Sequence, residues 1–101
     1  MVCIFDGGHR LKLARLNCSL TYRDIERLSR ILSERYSDDR FTIRISVLAD
    51  IENCRVVPTI FRLYTLCLIY GLDIPTVIEW YGFRPKARDR KVVEQYIRWV
   101  G

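Results

Sequence analysis

The sequence lacks a long apolar run, closely paired cysteines and a glycine-rich loop, and it contains a single histidine. Its longest apolar stretch, residues 63–70, is interrupted by Thr65 and is far too short to cross a bilayer. The first residues have no basic n-region, so a signal peptide is not expected. With 50% hydrophobic and 29% charged residues, the chain is globular rather than fibrous or disordered. We therefore expect one domain, located in the cytoplasm and without a membrane segment.

Signals for metal binding and catalysis are also missing. The four cysteines, Cys3, Cys18, Cys54 and Cys67, lie far apart, whereas zinc ligands usually come in pairs about two to four residues apart. We interpret them as buried or bystander thiols, with a disulfide framework and a metal site as the alternatives. His9 has no evident partner carboxylate or nucleophile. No enzyme activity, metal or cofactor is therefore expected.

The basic residues are unevenly distributed along the chain. Residues 1–82 carry eleven Lys and Arg against ten Asp and Glu, whereas residues 83–101 carry six against two. Most of the basic residues are arginine, whose planar donors suit phosphate and guanine, so nucleic acid is a reasonable partner. Arg27 and Arg30 have acidic neighbours at helical spacing, and we interpret them as a solvated helix face.

Apolar residues recur at helical spacing through most of the chain, and capping and turn residues separate the segments. A first helix is predicted at 9–17, after a Gly-Gly pair interpreted as flexible. A second, longer helix opens on the capping pattern of Thr21 and Asp24 and ends near residue 37. The remaining predicted helices are 47–53 with Ser46 as its cap, 58–71, a helix that Asp73 caps and that ends just before Gly82, and a basic amphipathic segment at 89–100.

Residues 40–46 alternate between apolar and polar, which is typical of a strand. Since no second strong strand exists to pair with it, we predict an extended connector whose Phe41 and Ile43 enter a helical core. The fold class is therefore all-α, with five helices, an elongated second helix and turn, and a basic C-terminal helix. The expected organisation is an N-terminal lead-in at 1–8, a helical domain at 9–82 and a tail at 83–101.

The order and spacing of these elements match a known family at the following positions: Arg15, Leu20, Thr21, Ile25, Ile43, Ser46, Leu48, Ile51, Glu52, Asn53, Pro58, Leu63 and Tyr70. On these residues, 9–82 resembles the Xre/Cro-repressor (lambda-repressor-like) family of helix-turn-helix DNA-binding domains. The resemblance implies a recognition helix at about 46–53 that lies in the major groove of double-stranded DNA. It also implies a transcription regulator, such as a repressor, that acts as a homodimer without a cofactor.

The resemblance further implies roles for particular residues. Arg15 and Glu52 match a structural ion pair between the first helix and the recognition helix. Arg44 would bind guanine, Ser46 a base edge or phosphate, and Val47 a thymine methyl group. The complete set of implied DNA-binding residues is Tyr22, Arg23, Arg44, Ser46, Val47, Asp50 and Arg55.

Two features depart from the family pattern and motivate an alternative. Asp50 repels phosphate unless a cation pairs with it. Glu52 lies 32 positions after Leu20, which exceeds the compact family spacing, and the excess includes residues 37–42. The alternative is an antitoxin-like or adaptor-like module that keeps the fold and binds another protein, through the recognition-helix surface, residues 37–42 or the C-terminal helix.

The C-terminal tail has three interpretations. It is an arm that binds phosphates, a dimerisation helix that uses Val93, Tyr96 and Val100, or a helix packed on its own domain with Trp99 over the core. The first of these also allows a non-specific nucleic-acid binder that acts through the tail alone.

Overall fold

The computed structural model describes residues 6–84 and 86–100, with residues 99 and 100 described by their backbone only. Within these ranges the chain is all helical, as predicted, and contains no strand. The elements are α1 (Gly7–Asn17), α2 (Tyr22–Tyr36), a 3-10 helix (Asp39–Phe41), α3 (Ile45–Glu52), α4 (Ile60–Tyr70), α5 (Ile74–Trp80) and α6 (Ala87–Val100). The interpretations given to Cys3 and to the side chains of Trp99 and Val100 lie outside the described residues.

One apolar core joins α1 to α5. Each of these helices, and the connector before α3, contributes at least one buried side chain to the cluster of Leu11, Ile25, Ile43, Leu48, Ile51, Leu63, Leu66, Cys67, Tyr70, Val77 and Tyr81. Because α3 supplies two of these residues within its eight, its inner face is fixed by burial. Its opposite face is thereby turned outward.

The elongated second helix is present and opens as predicted. The Thr21 hydroxyl accepts a hydrogen bond from the Asp24 N–H at 3.2 Å, and the Asp24 carboxylate accepts one from the Thr21 N–H at 2.8 Å. This capping box satisfies two donors that the first turn would otherwise leave without partners. The helix ends at Ser37, which has a left-handed backbone conformation with φ of 51°.

The alternation of residues 40–46 predicted an extended connector, but the connector is extended only in part. Residues Asp39–Phe41 form a 3-10 turn, and Ile43 is fully buried. Side chains supply the partners that a neighbouring strand would have given: the Ile43 N–H donates to Ser29 Oγ at 2.9 Å, and Thr65 Oγ1 donates to the Phe41 carbonyl at 3.1 Å. The alternation reflects two side chains that both point inward from a turn.

Two predicted boundaries, the starts of α1 and α3, are wrong. Gly7 and Gly8 are not a flexible lead-in but the first turn of α1, and both are buried. A Cβ atom added at Gly8 would lie 2.2 Å from the Ile51 carbonyl oxygen, so glycine is what allows α1 to pack this closely on α3. Helix α3 begins at Ile45, and Ser46 lies inside it rather than capping it. The Ile45 N–H instead donates to the Glu26 carboxylate of α2 at 3.1 Å.

Helices α4 and α5 are shorter than predicted. Helix α4 begins at Ile60 rather than at Pro58, and Thr59 caps it by accepting a hydrogen bond from the Arg62 N–H at 3.3 Å. The helix ends before Gly71, which has φ of 68°. No single described helix is long and apolar enough to cross a membrane. Only α4 and α5 together reach that length and composition, and they are bent by 114° relative to each other.

Helix α6 stands apart from the other helices. No Cα–Cα distance of 8 Å or less joins its described residues to another helix. It begins at Ala87, two residues earlier than predicted, and Val92, Val93, Tyr96 and Ile97 are exposed. The described residues of α6 thus give no support to a helix packed on its own domain, and the Trp99 contact of that interpretation lies outside them.

Candidate nucleic-acid interface

The candidate interface is built on α3, which a buried ion pair attaches to α1. Arg15 Nε donates to Glu52 Oε2 at 2.8 Å, and Arg15 Nη2 donates to Glu52 Oε1 at 3.0 Å. The remaining Nη1 donates to the Leu20 carbonyl at 2.9 Å, in the turn that leads into α2. The two side chains are 9% and 1% exposed. The pair that the resemblance implied is therefore formed, and it holds α1, the following turn and α3 in one arrangement.

The Tyr22 side chain packs against this ion pair and is not fully exposed to solvent, as a DNA contact would require. Its ring lies 4.5 Å from the Arg15 guanidinium carbon, a cation–π contact, and its side chain is half-buried. The Tyr22 ring is thus committed mainly to packing. Arg23, the next residue of α2, is exposed and forms no ion pair or side-chain hydrogen bond with the residues described.

The outward face of α3 presents a short row of polar groups. Ser46 and Asn53 are exposed, Ala49 and Asp50 are half-buried, and their spacing places all four on one side of the helix. Arg44 lies just before the first turn and is also exposed, without an internal side-chain partner among the described residues. The start of α3 therefore carries one free guanidinium and one free hydroxyl, the donor types that read guanine and phosphate.

Asp50 is paired, which answers the difficulty that its charge raised. Arg55, in the turn after α3, places Nη1 at 3.4 Å from Asp50 Oδ1. The cation that pairs with Asp50 is thus Arg55. Since the guanidinium offsets the carboxylate, the face repels phosphate less than the sequence of α3 indicated. Arg55 is in turn less available as a separate phosphate ligand.

Val47 does not lie on the outward face. It is half-buried and packs against the core cluster, so only part of its side chain can reach a thymine methyl group.

The basic side chains in the middle of α2 are paired with acidic neighbours. Arg27 forms an ion pair with Asp24 at 3.0 Å, and Arg30 forms one with Glu26 at 3.4 Å, as the solvated-face interpretation predicted.

Sequence reasoning missed two residues that shape this surface. Asn53 follows Ser46 by seven residues and Ala49 by four, a helical spacing that marks the outward face once the helix is known. Glu26 receives the first N–H of α3, but it lies 19 residues before Ile45, so no local pattern could have identified it.

The described residues contain no group of three or more His, Cys, Asp or Glu side chains that could hold a metal ion. Cys18, Cys54 and Cys67 have free thiols, and burial raises the pKa of Cys67. Burial likewise raises the pKa of Tyr70 far above its usual range, and this hydroxyl stays protonated at neutral pH.

No family model, curated protein or solved structure matches the chain.

Proposed function

We propose that the chain is a sequence-specific double-stranded DNA-binding transcription regulator of the Xre/Cro-repressor type. In this proposal α2 and α3 form the helix-turn-helix, and α3 lies in the major groove. A homodimer would bind a two-fold operator with its half-sites about one helical turn apart.

The observation that carries the proposal is the contrast between the two sides of α3. Its inner side is fixed by the Glu52 pair, by the Glu26 carboxylate at its N-terminus and by the approach of Gly8. Its outer side leaves Arg44 and Ser46 exposed and unengaged. Rigidly held donors at one end of an exposed helix are what base readout requires, since a mobile helix would lose conformational freedom on binding.

A second set of contacts is available at the start of α2. The capping box satisfies the Thr21 and Asp24 N–H groups. It leaves the N–H groups of Tyr22 and Arg23, which no hydrogen bond among the described residues uses, at the positive end of the helix dipole beside the Arg23 side chain. Such a terminus binds a backbone phosphate without reading sequence. In the proposal, Arg23 therefore positions the domain while Arg44 and Ser46 select the bases.

The proposal is tested first by selection from a random duplex pool, followed by affinity measurements on the enriched site across a salt series. A two-fold motif that binds about 10³-fold or more above random DNA is expected. Enrichment of no motif, together with binding that vanishes at physiological salt, would overturn the proposal and favour the protein-interaction alternative.

Two arginine variants then separate base readout from phosphate contact. Arg44→Ala is expected to weaken binding to the selected site by about 1–3 kcal/mol and to relax the preference at one base pair. Arg23→Ala is expected to weaken all sequences alike and to reduce the salt slope by about one. Arg35→Ala, at the C-terminal end of α2, is the matched control because it removes the same charge from an exposed site. Equal effects of Arg44→Ala and Arg35→Ala would show that α3 does not read the bases.

A further inference from the structure

An aromatic groove lies on the side of the domain formed by residues 37–42. Phe41 stands at its centre, with ring-centroid distances of 5.1 Å to Tyr36, 5.3 Å to Phe61 and 6.1 Å to Tyr64. Ile60 and Ile74 complete the lining of a groove of about 330 Å³. We call these six residues the aromatic groove. Tyr36 and Ile60 are about half exposed, so the groove is open to solvent.

The groove continues along the outside of α4. Ile60, Tyr64 and Leu68 follow one another at four-residue spacing, and Leu68 is exposed. They form an apolar stripe about 12 Å long, at a rise of about 1.5 Å per residue. A continuous apolar stripe of this kind on a small domain marks an interaction surface.

The rim of the groove at residues 33–40 carries a small net negative charge. A neighbouring hollow is lined by Ser33, Glu34, Ser37, Asp38, Asp39 and Arg40. Arg40 forms an ion pair with Asp38 at 2.6 Å and lies over the Phe61 ring, so the Asp38 carboxylate offsets its positive charge. Glu34 and Asp39 form no ion pair within the described part of the chain, and neither does the exposed Arg35. Residues 33–40 therefore carry three acidic and two basic side chains, a net charge of −1.

Helix α6 carries the complementary surface. Its exposed apolar side chains, Val92, Val93, Tyr96 and Ile97, contact none of the other described helices. Residues 86–100 contain five basic and two acidic residues. Arg88 lies one turn before Val92, at the edge of the apolar side, so a cation flanks the surface that would enter a groove.

We propose that α6 of one copy binds the aromatic groove of a second copy, and that the second copy's α6 binds the first in the same way. An amphipathic helix in an apolar groove is a common recognition mode. The basic flank of α6 meets the rim of small net negative charge, whereas α6 packed on α6 would bring two basic helices together. A two-fold axis repeats the contact, so each dimer contains two such sites.

The inference deepens the homodimer part of the proposed function. It concerns association without DNA, and the experiment uses the full chain with no DNA present. If the dimer fails while an operator motif is still selected, only the inference is wrong. If the dimer forms while no motif is selected, only the DNA proposal is wrong.

The first experiment measures the dimer dissociation constant by sedimentation equilibrium. Val93→Gln with Ile97→Gln in α6, and Tyr36→Gln with Ile60→Gln in the groove, are each expected to raise it by about tenfold or more, because each pair removes apolar surface from the contact. Leu13→Gln with Leu16→Gln, two equally exposed leucines of α1, is the matched control and should leave it unchanged.

The second experiment exchanges the charges. One variant carries Glu34→Arg and Asp39→Arg, and the other carries Arg88→Glu and Arg90→Glu. Each alone should dimerise more weakly because like charges then face each other. An equimolar mixture should form heterodimers with affinity near the wild type, since both sites of the mixed dimer again pair opposite charges.

Three results would overturn the inference. A groove variant that dimerises as tightly as the wild type would place the contact between two α6 helices. A chain that remains monomeric while α6 becomes protected from amide exchange would indicate binding within one copy. Binding of the monomer to vesicles of anionic phospholipid through α6, undisturbed by the groove variants, would assign the helix to a membrane surface.

Discussion

Glu52→Gln removes one charge from the Arg15 pair while leaving the shape of the side chain almost unchanged. The partner guanidinium stays protonated, since the hydrogen bonds to Glu52 raise the pKa of Arg15 above a value that is already very high. The substitution therefore leaves a cation that is 9% exposed with one lost charge partner. Breaking a buried pair from one side costs about 3–5 kcal/mol. Because Arg15 keeps the Leu20 carbonyl and the Tyr22 ring, we expect about 3 kcal/mol.

The assay is urea unfolding followed by circular dichroism. With a slope of about 1–3 kcal/mol per molar, the expected loss lowers the midpoint by about 1–3 M and leaves the slope itself unchanged. Asp6→Asn is the matched control. It breaks the exposed Arg10–Asp6 pair, which has a similar distance of 3.0 Å but more than half of each side chain in solvent, and should cost less than about 1 kcal/mol.

A double variant completes the test. Arg15→Met with Glu52→Leu replaces both charges with apolar groups of similar volume, and it should be more stable than Glu52→Gln because no buried charge is left alone. If Glu52→Gln costs no more than Asp6→Asn, or if the double variant is as unstable as the sum of its single variants, the pair does not hold α3 to α1 as argued.

Two further predictions concern stability. Gly8→Ala should lower the free energy of unfolding by about 1–3 kcal/mol, because its Cβ would lie 2.2 Å from a backbone oxygen of α3. The control Lys12→Ala, on the exposed side of α1, should change the free energy of unfolding by less than about 0.5 kcal/mol. A Gly8→Ala variant as stable as the wild type would contradict the close approach of α1 and α3. Hydrogen bonds from Thr21 lower the pKa of Asp24, with Arg27 adding to the effect. Since the folded pKa lies below the unfolded one, the stabilisation is present above about pH 4 and lost as the pH falls through the folded pKa. Urea titrations from pH 5 to the acid limit should therefore show a smaller loss for Asp24→Asn than for the wild type, and parallel curves would exclude this contribution.

Local signals explain why most helices could be predicted from the sequence. The capping box of α2, Gly71 after α4 and Pro75 in the first turn of α5 act within a few residues, and each marks the end it was expected to mark. The Arg15–Glu52 pair came from a resemblance instead, because its partners lie 37 residues apart.

The errors share one physical cause, which is that distant residues replaced a local partner. Ser46 was expected to cap α3 because it is a good capping residue, but Glu26 from α2 takes that role. Residues 40–46 alternate like a strand, but hydroxyl groups of Ser29 and Thr65 satisfy their backbone. Gly7 and Gly8 were expected to be flexible because glycine favours flexible segments, but Gly8 instead packs against the Ile51 carbonyl. None of these partners is visible in a local window of sequence.

The same long-range contacts position α3 without using the side chains that would contact DNA in the proposed function. Glu26, Arg15 and Gly8 act on its backbone or on the buried Glu52, and none of them uses the outward face. Arg44 and Ser46 contribute nothing to the core, so a change there alters the donors presented without loosening the helix. A domain arranged in this way can change its target by substitutions that leave the free energy of unfolding nearly constant. In the proposed function, this separation would let the base-contacting side chains change while the position of α3 stays fixed.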